Sequence, residues 1–186
     1  MMLNNLANKL TLSRIIVIPL IVLVYYLPFS WSSVAASCLF VLGCFTDWLD
    51  GFIARKFKQT SNLGVLLDPI ADKLIVATCL ILLIDKYQGK GLESLAISLP
   101  AMLIIGREIA ISGLREWLAK VQKSEGLAVS LAGKIKTLLQ MVAVSVLLAG
   151  PVLPYWQWIG YTTLYAAVLL TLYSMFRYLS SCLQPH

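Results

Sequence analysis

Histidine is nearly missing from this chain: the single one stands at position 186, which leaves no imidazole for a histidine-based metal centre or a Ser-His-Asp triad. Cysteine is scarce too. Cys38, Cys44, Cys79 and Cys182 show no CxxC spacing and sit in or beside apolar stretches, so they read as small core residues and form neither a disulfide framework nor a zinc site. Charged residues make up only 13% of the 186 positions, against 59% hydrophobic, and the mean hydropathy is +0.82, which excludes an ordinary soluble globule. Fifteen Lys and Arg against nine Asp and Glu give a net charge of +6. A nucleic-acid-binding surface would need far more polar residues than this composition holds, so no nucleic-acid partner is expected and the basicity suits a membrane face. Low-complexity segments and internal repeats are also lacking, and one domain over 1–186 is expected.

What is present in abundance is uncharged apolar sequence. Residues 15–46 and 137–176 contain no Asp, Glu, Lys or Arg, and each stretch is long enough for roughly two bilayer crossings of about 20 residues. The first is broken between Pro28 and Ser33, the second at Gly150, Pro151 and Pro154. Between them, 63–84 and 94–119 are apolar over most of their length. The reading is an all-α polytopic membrane protein with transmembrane helices near 15–30, 33–54, 63–84, 94–119, 131–149 and 156–178.

Charge sets the orientation. Lys9, Arg14, Arg55, Lys56, Lys58, Lys73, Arg107, Arg115, Lys120, Lys123, Lys134, Lys136 and Arg177 fall on one side of this scheme and only Lys86 and Lys90 on the other, so both termini are expected in the cytoplasm. Leu3, Leu6, Ala7 and Leu10 recur at i, i+3, i+4 and i+7, which predicts an amphipathic helix over 2–12 lying in the interface. A signal-peptide reading of this segment fails because the apolar stretch after it leads into another membrane helix. Tyr25, Tyr26, Trp31, Trp156 and Trp158 lie near the non-cytoplasmic ends as an aromatic belt.

The chemistry is concentrated in Asp47-Trp48-Leu49-Asp50-Gly51-Phe52-Ile53-Ala54-Arg55 and Gly64-Val65-Leu66-Leu67-Asp68-Pro69-Ile70-Ala71-Asp72. At about 100° per residue, Asp47, Asp50, Gly51 and Ala54 fall within one helical stripe, while Gly64, Asp68 and Asp72 step by i+4 along the next helix. A short basic turn over 55–62 makes the two helices antiparallel neighbours. Four carboxylates therefore converge near the cytoplasmic end of one hairpin.

Each Asp deep in a bilayer costs about 2.5–3.5 kcal/mol on insertion scales, and four close together also repel. Oxygen-only ligands at this density are what Mg²⁺ or Mn²⁺ prefers, which points to a binuclear divalent-metal site. Such a site lends itself to phosphoryl transfer, with Gly51, Ala54 and Gly64 leaving room for a bulky ligand. An ion or proton carrier would also use intramembrane aspartates but has no need of those small residues.

The pattern Asp47-x2-Asp50-Gly51-x2-Ala54-Arg55-x8-Gly64-x3-Asp68-x3-Asp72 resembles, at every fixed position, the signature of the CDP-alcohol phosphotransferases. The resemblance implies a six-helix integral membrane enzyme, a homodimer, that displaces CMP from a CDP-linked lipid with an alcohol. Asn8-Lys9-Leu10-Thr11-Leu12-Ser13-Arg14, Arg107-Glu108-Ile109, Leu114-Arg115-Glu116-Trp117 and Gly133-Lys134-Ile135-Lys136-Thr137 with Gln140 resemble bacterial members that join CDP-diacylglycerol to sn-glycerol 3-phosphate in the cytoplasmic (inner) membrane. Inositol phosphate, serine and phosphatidylglycerol are the competing acceptors.

By that resemblance Asp47, Asp50, Asp68 and Asp72 are metal ligands, and Asp72 is also the base that takes the proton of the attacking hydroxyl. Gly51, Ala54 and Gly64 border the CMP moiety of CDP-diacylglycerol, with Arg55 either near its phosphates or bracing an aspartate. The acceptor carries its own phosphate dianion and needs cations close to, but distinct from, the metals. Arg107, Arg115 and Lys136 are expected to supply them, with Thr137 on the same helical stripe as Lys136. Glu108 and Glu116 are expected to pair with neighbouring arginines.

Overall fold

A computed structural model describes residues 6–57, 62–120, 131–150, 152 and 155–183; of these, the side chains of 6–14, 47–57, 62–69, 115, 117–120, 131–132, 134, 178–179 and 181–183 lie outside the description. The described chain is all-helical, with six helices: α1 (Leu6–Tyr25), α2 (Ser32–Phe57), α3 (Asn62–Lys86), α4 (Leu92–Lys120), α5 (Leu131–Ala149) and α6 (Trp156–Leu183).

The helix boundaries follow local chemistry. Residues 26–31, with Pro28 at their centre, turn the chain between α1 and α2. Gly89 and Gly91 take positive φ in the turn between α3 and α4. Gly150 closes α5 at φ +85°, its N–H donating to the Val146 carbonyl at 3.3 Å, the single-bond cap that a left-handed residue makes at a helix C-terminus. The Lys86 ammonium, from the end of α3, donates to the Leu148 carbonyl of the same terminus. It thus satisfies a carbonyl left over by helix geometry and places a positive charge at the negative end of the α5 dipole. Pro19 and Pro100 stand inside α1 and α4 without ending them.

One expectation is corrected. The interfacial helix predicted over 2–12 and the crossing predicted from 15 are not separate elements: α1 runs without interruption from Leu6, and residues 2–5 lie outside the described residues. Leu12-Ser13-Arg14-Ile15 contains neither Gly nor Pro, so backbone hydrogen bonding propagates through the change from polar to apolar sequence. At the other end, α6 continues past the predicted 178 to Leu183.

Packing places α3 and α5 in the middle. α3 touches α1, α2, α4 and α5, while α5 touches α2, α3 and α6. The core is built from stripes at helical spacing: Ile75, Cys79, Leu82 and Leu83 on α3, Ile97, Ala101 and Ile104 on α4, and Ala143, Val144, Leu147 and Leu148 on α5. Side-chain to backbone bonds cross between helices, with Ser37 Oγ donating to the Ser145 carbonyl at 2.7 Å and Tyr165 Oη to the Ala96 carbonyl at 3.1 Å. Small residues permit close approach: a Cβ on Gly160 would lie 2.6 Å from Leu147 Cγ.

The outside of the bundle carries many large apolar side chains. Every helix exposes large hydrophobic side chains, among them Leu23, Leu42, Ile81, Met102, Leu138 and Phe176. Among the described residues, Leu92–Leu114 and Trp156–Arg177 are long and apolar enough to cross a membrane, and Ile15–Tyr25, Ser32–Thr46 and Ile135–Ala149 are shorter apolar stretches.

Candidate functional site

The backbone of α2 and α3 fixes where the four aspartates stand. Asp50 and Asp47 lie seven and ten residues before the end of α2 at Phe57, and Asp68 and Asp72 lie six and ten residues after the start of α3 at Asn62. At about 1.5 Å of rise per residue, both pairs sit roughly 10 and 15 Å from those two helix ends, at matching distances along two helices in contact. The side chains of Asp47, Asp50 and Asp68 lie outside the described residues, as do those of Ala54, Arg55 and Arg115 and the surroundings of Gly51 and Gly64. Asp72 is half-buried and engaged with a partner. Among the described residues no three His, Cys, Asp or Glu side chains form a group, and three of the four aspartate side chains are not among them.

The residue after Asp72 opens a polar network that crosses three further helices. Lys73 points from α3 to α4, its ammonium donating to Ser112 Oγ at 2.5 Å, and Ser112 Oγ donates to the Glu108 carbonyl one turn earlier, also at 2.5 Å. Glu108 Oε1 accepts from two cations: Arg107 Nη1 at 3.2 Å and the ammonium of Lys136 on α5. Arg107 Nη2 reaches the fourth helix, donating to Ser174 Oγ of α6 at 2.8 Å, and Ser174 in turn donates to the Thr171 carbonyl at 2.9 Å. Arg107 Nε is buried and has no hydrogen-bond partner among the described residues.

Burial is what gives this network weight. The side chains of Arg107 and Lys136 retain 12% and 6% of their exposure and that of Glu108 27%. Ion pairs screened this little from one another interact far more strongly than surface pairs, and breaking one leaves an uncompensated charge. Lys73, Arg107 and Lys136 carry three positive charges against the one negative charge of Glu108, so these four groups present a net positive site beside the aspartate hairpin.

Of the residues expected to bind the acceptor's phosphate, Arg107 and Lys136 are brought together. Thr137 is not joined to them: its hydroxyl donates to the Gly133 carbonyl of its own helix at 2.9 Å. Glu108 does pair with a neighbouring arginine, and it also holds Lys136. The sequence reading did not anticipate Lys73, Ser112 or Ser174 in this network. A signal existed for Ser112, four residues after Glu108 on one helical face, but none for Ser174, which only the packing of α4 on α6 brings near Arg107.

Comparison with known proteins bears directly on this arrangement. Residues 4–173 match the family model described as CDP-alcohol phosphatidyltransferase. A protein of Sodalis glossinidius named CDP-diacylglycerol–glycerol-3-phosphate 3-phosphatidyltransferase is 46% identical over 175 residues, covering 94% of this chain and 93% of that protein. Proteins of the same name from Shigella flexneri serotype 5b and Escherichia coli K12 are 45% identical over 177 residues, covering 95% of this chain and 94% of each. The matched region takes in both aspartate pairs, the cation network apart from Ser174, and α6 as far as Tyr173, and the chain belongs to the CDP-alcohol phosphatidyltransferase family.

Proposed function

We propose that this chain transfers the phosphatidyl group of CDP-diacylglycerol to sn-glycerol 3-phosphate, giving phosphatidylglycerophosphate and CMP. The observation that carries this reading is likeness along nearly the whole of both chains to relatives named for that reaction, at 45–46% identity. The geometry supports it, because a site for this pair of substrates needs a place for a pyrophosphate and, beside it, a place for a second phosphate. The aspartate hairpin and the cations of α3, α4 and α5 are two such places, joined at the Asp72–Lys73 peptide.

Asp47, Asp50, Asp68 and Asp72 are an all-carboxylate, hard-oxygen donor set at matching distances along adjacent helices, which fits a pair of Mg²⁺ or Mn²⁺ ions. When bound, these ions supply charge neutralisation for the pyrophosphate oxygens. Gly51, Ala54 and Gly64 leave space for the cytidine nucleotide, and Arg55 meets its phosphates or braces an aspartate. Arg107 and Lys136, with Arg115 and Thr137 nearby in sequence, hold the phosphate of glycerol 3-phosphate, the guanidinium fork matching phosphate oxygens. With the acceptor held there, its free hydroxyl attacks the phosphorus that bears the diacylglycerol. A new P–O bond forms, the bond to the CMP phosphate oxygen breaks, and the hydroxyl proton passes to the Asp72 carboxylate. A carboxylate is a weak base toward an alcohol, and it suffices when the attacking oxygen is held in line.

The same reading places all six helices across the bacterial cytoplasmic membrane, with the site and both termini on the cytoplasmic side and the protein as a homodimer. Large apolar side chains exposed on every helix support the bilayer placement, since soluble monomers rarely leave apolar surface of this extent uncovered. The positive residues gathered at one set of helix ends support the orientation.

The test uses full-length protein in mixed micelles with CDP-diacylglycerol, labelled glycerol 3-phosphate and Mg²⁺. Label is expected in lipid with equal release of CMP, both abolished by EDTA and restored by metal. Asp72→Asn is expected to lower the rate by about 10²–10⁴-fold, the range of a lost general base. Incorporation of inositol phosphate, serine or phosphatidylglycerol in place of glycerol 3-phosphate would refute the acceptor, and full activity after chelation would refute the metal.

A further inference from the structure

We propose that Glu108 is a positioning residue for the acceptor's phosphate, holding the Arg107 guanidinium and the Lys136 ammonium at one place and thereby setting how the phosphate is received. This rests on the reading of Arg107 and Lys136 given above. Two buried cations on different helices repel one another, and nothing in the backbone of α4 or α5 makes them converge. One carboxylate oxygen, Oε1, is shared between them.

The contact between Arg107 and Glu108 is not a by-product of helix geometry. Residues one apart on a helix point about 100° away from each other, whereas natural neighbours are three or four apart. The guanidinium therefore bends toward the face that Glu108 turns to α5. Its other arm is held by Ser174 Oγ of α6 at 2.8 Å, so the guanidinium is tied to a second helix. With Nη1 and Nη2 both engaged, Nε is left as a buried donor without a partner among the described residues, the kind of group a bound anion satisfies. Glu108 is itself anchored through its backbone, where its carbonyl accepts from Ser112, the residue that receives Lys73. The carboxylate is thus tied by way of α3 to the residue following Asp72, and the phosphate pocket is held in register with the proposed base.

A merely structural ion pair and a positioning residue differ in what they do to the two substrates. In full-length protein assayed with both substrates varied, Glu108→Gln is expected to raise KM for glycerol 3-phosphate about tenfold or more while leaving KM for CDP-diacylglycerol within about twofold. Lys136→Met should raise the same KM, and in the Lys136→Met background Glu108→Gln should cost clearly less than it does in the wild type, the remainder being its hold on Arg107. Equal shifts in both KM values, or effects that multiply in the double variant, overturn the proposal. If Glu108→Gln is not recovered folded, Glu108→Asp serves instead: it keeps the charge but withdraws it by one methylene, the same split is expected, and an unchanged KM for glycerol 3-phosphate overturns the proposal. Lys136→Met without effect on that KM would refute the pocket itself. An effective Lys136→Met beside a silent Glu108→Gln would refute only the role given to Glu108.

Discussion

Arg107→Lys isolates geometry from charge. Lysine keeps the positive charge but offers one ammonium in place of a planar fork, and it has no second nitrogen with which to keep both Ser174 Oγ, at 2.8 Å from Nη2, and Glu108 Oε1, at 3.2 Å from Nη1. The side chain is 12% exposed, so water replaces the lost partner poorly. With the fork no longer held, one of its bonds to the acceptor's phosphate is lost as well, and a hydrogen bond to a charged group contributes about 1.5–3 kcal/mol. At 1.4 kcal/mol per tenfold, loss of one such bond corresponds to about 10–150-fold in kcat/KM for glycerol 3-phosphate. The assay is CMP release in mixed micelles at saturating CDP-diacylglycerol with glycerol 3-phosphate varied, alongside a thermal melt showing that the variant stays folded. A folded Arg107→Lys protein with unchanged kcat/KM for glycerol 3-phosphate would show that the fork has no part in receiving the phosphate.

Other consequences are open to measurement. Gly160→Ala sets a new Cβ 2.6 Å from the Cγ branch point of buried Leu147, whereas Gly43→Ala presses on the tip of Ile75, its Cδ1, at 2.7 Å and meets Val17 Cγ1 at an ordinary 3.7 Å. The first is expected to cost about 1–3 kcal/mol, read as a lower melting temperature in detergent, and the second less; the reverse order would contradict the packing of α5 on α6. Lys86 lies beyond the 63–84 crossing, and burial, followed by the neighbouring Lys90 ammonium, brings its pKa down from 10.5 to about 8. Between those values the unfolded chain keeps a proton that the folded chain has released, so folded stability rises with pH across that window. The melting temperature of the wild type should therefore gain on that of Lys86→Met as pH rises through the window, and parallel profiles would show that Lys86 is not the group responsible.

Helix positions were legible in the sequence because single residues decide them. Pro28 marks the turn between α1 and α2, Gly150 ends α5, and α5 occupies the predicted 131–149. The first helix was misread because a change in amphipathic character resembles a boundary, although the backbone of Leu12-Ser13-Arg14-Ile15 carries nothing that would stop it. The heights of the aspartates followed from spacing alone, since register along a helix is arithmetic. The cation network was half legible. Periodicity put Lys136 and Thr137 on one stripe, but it could not tell that Thr137 bonds back to Gly133 while Lys136 reaches across to α4. Nor does any local rule foretell that Glu108 holds its own neighbour Arg107 while it meets Lys136 of α5 and Arg107 meets Ser174 of α6, since those partners come from distant parts of the chain.

The bond from Lys86 to the end of α5 has a mechanical meaning. It fastens α3 to α5 fourteen residues, or about 21 Å, from Asp72, at the end remote from the chemistry. At the opposite end the same two rods are linked by way of α4, from Lys73 through Ser112 and Glu108 to Lys136. The spacing between the aspartate-bearing rod and the lysine-bearing one is therefore set at both tips, and a change at either knot is felt at the other.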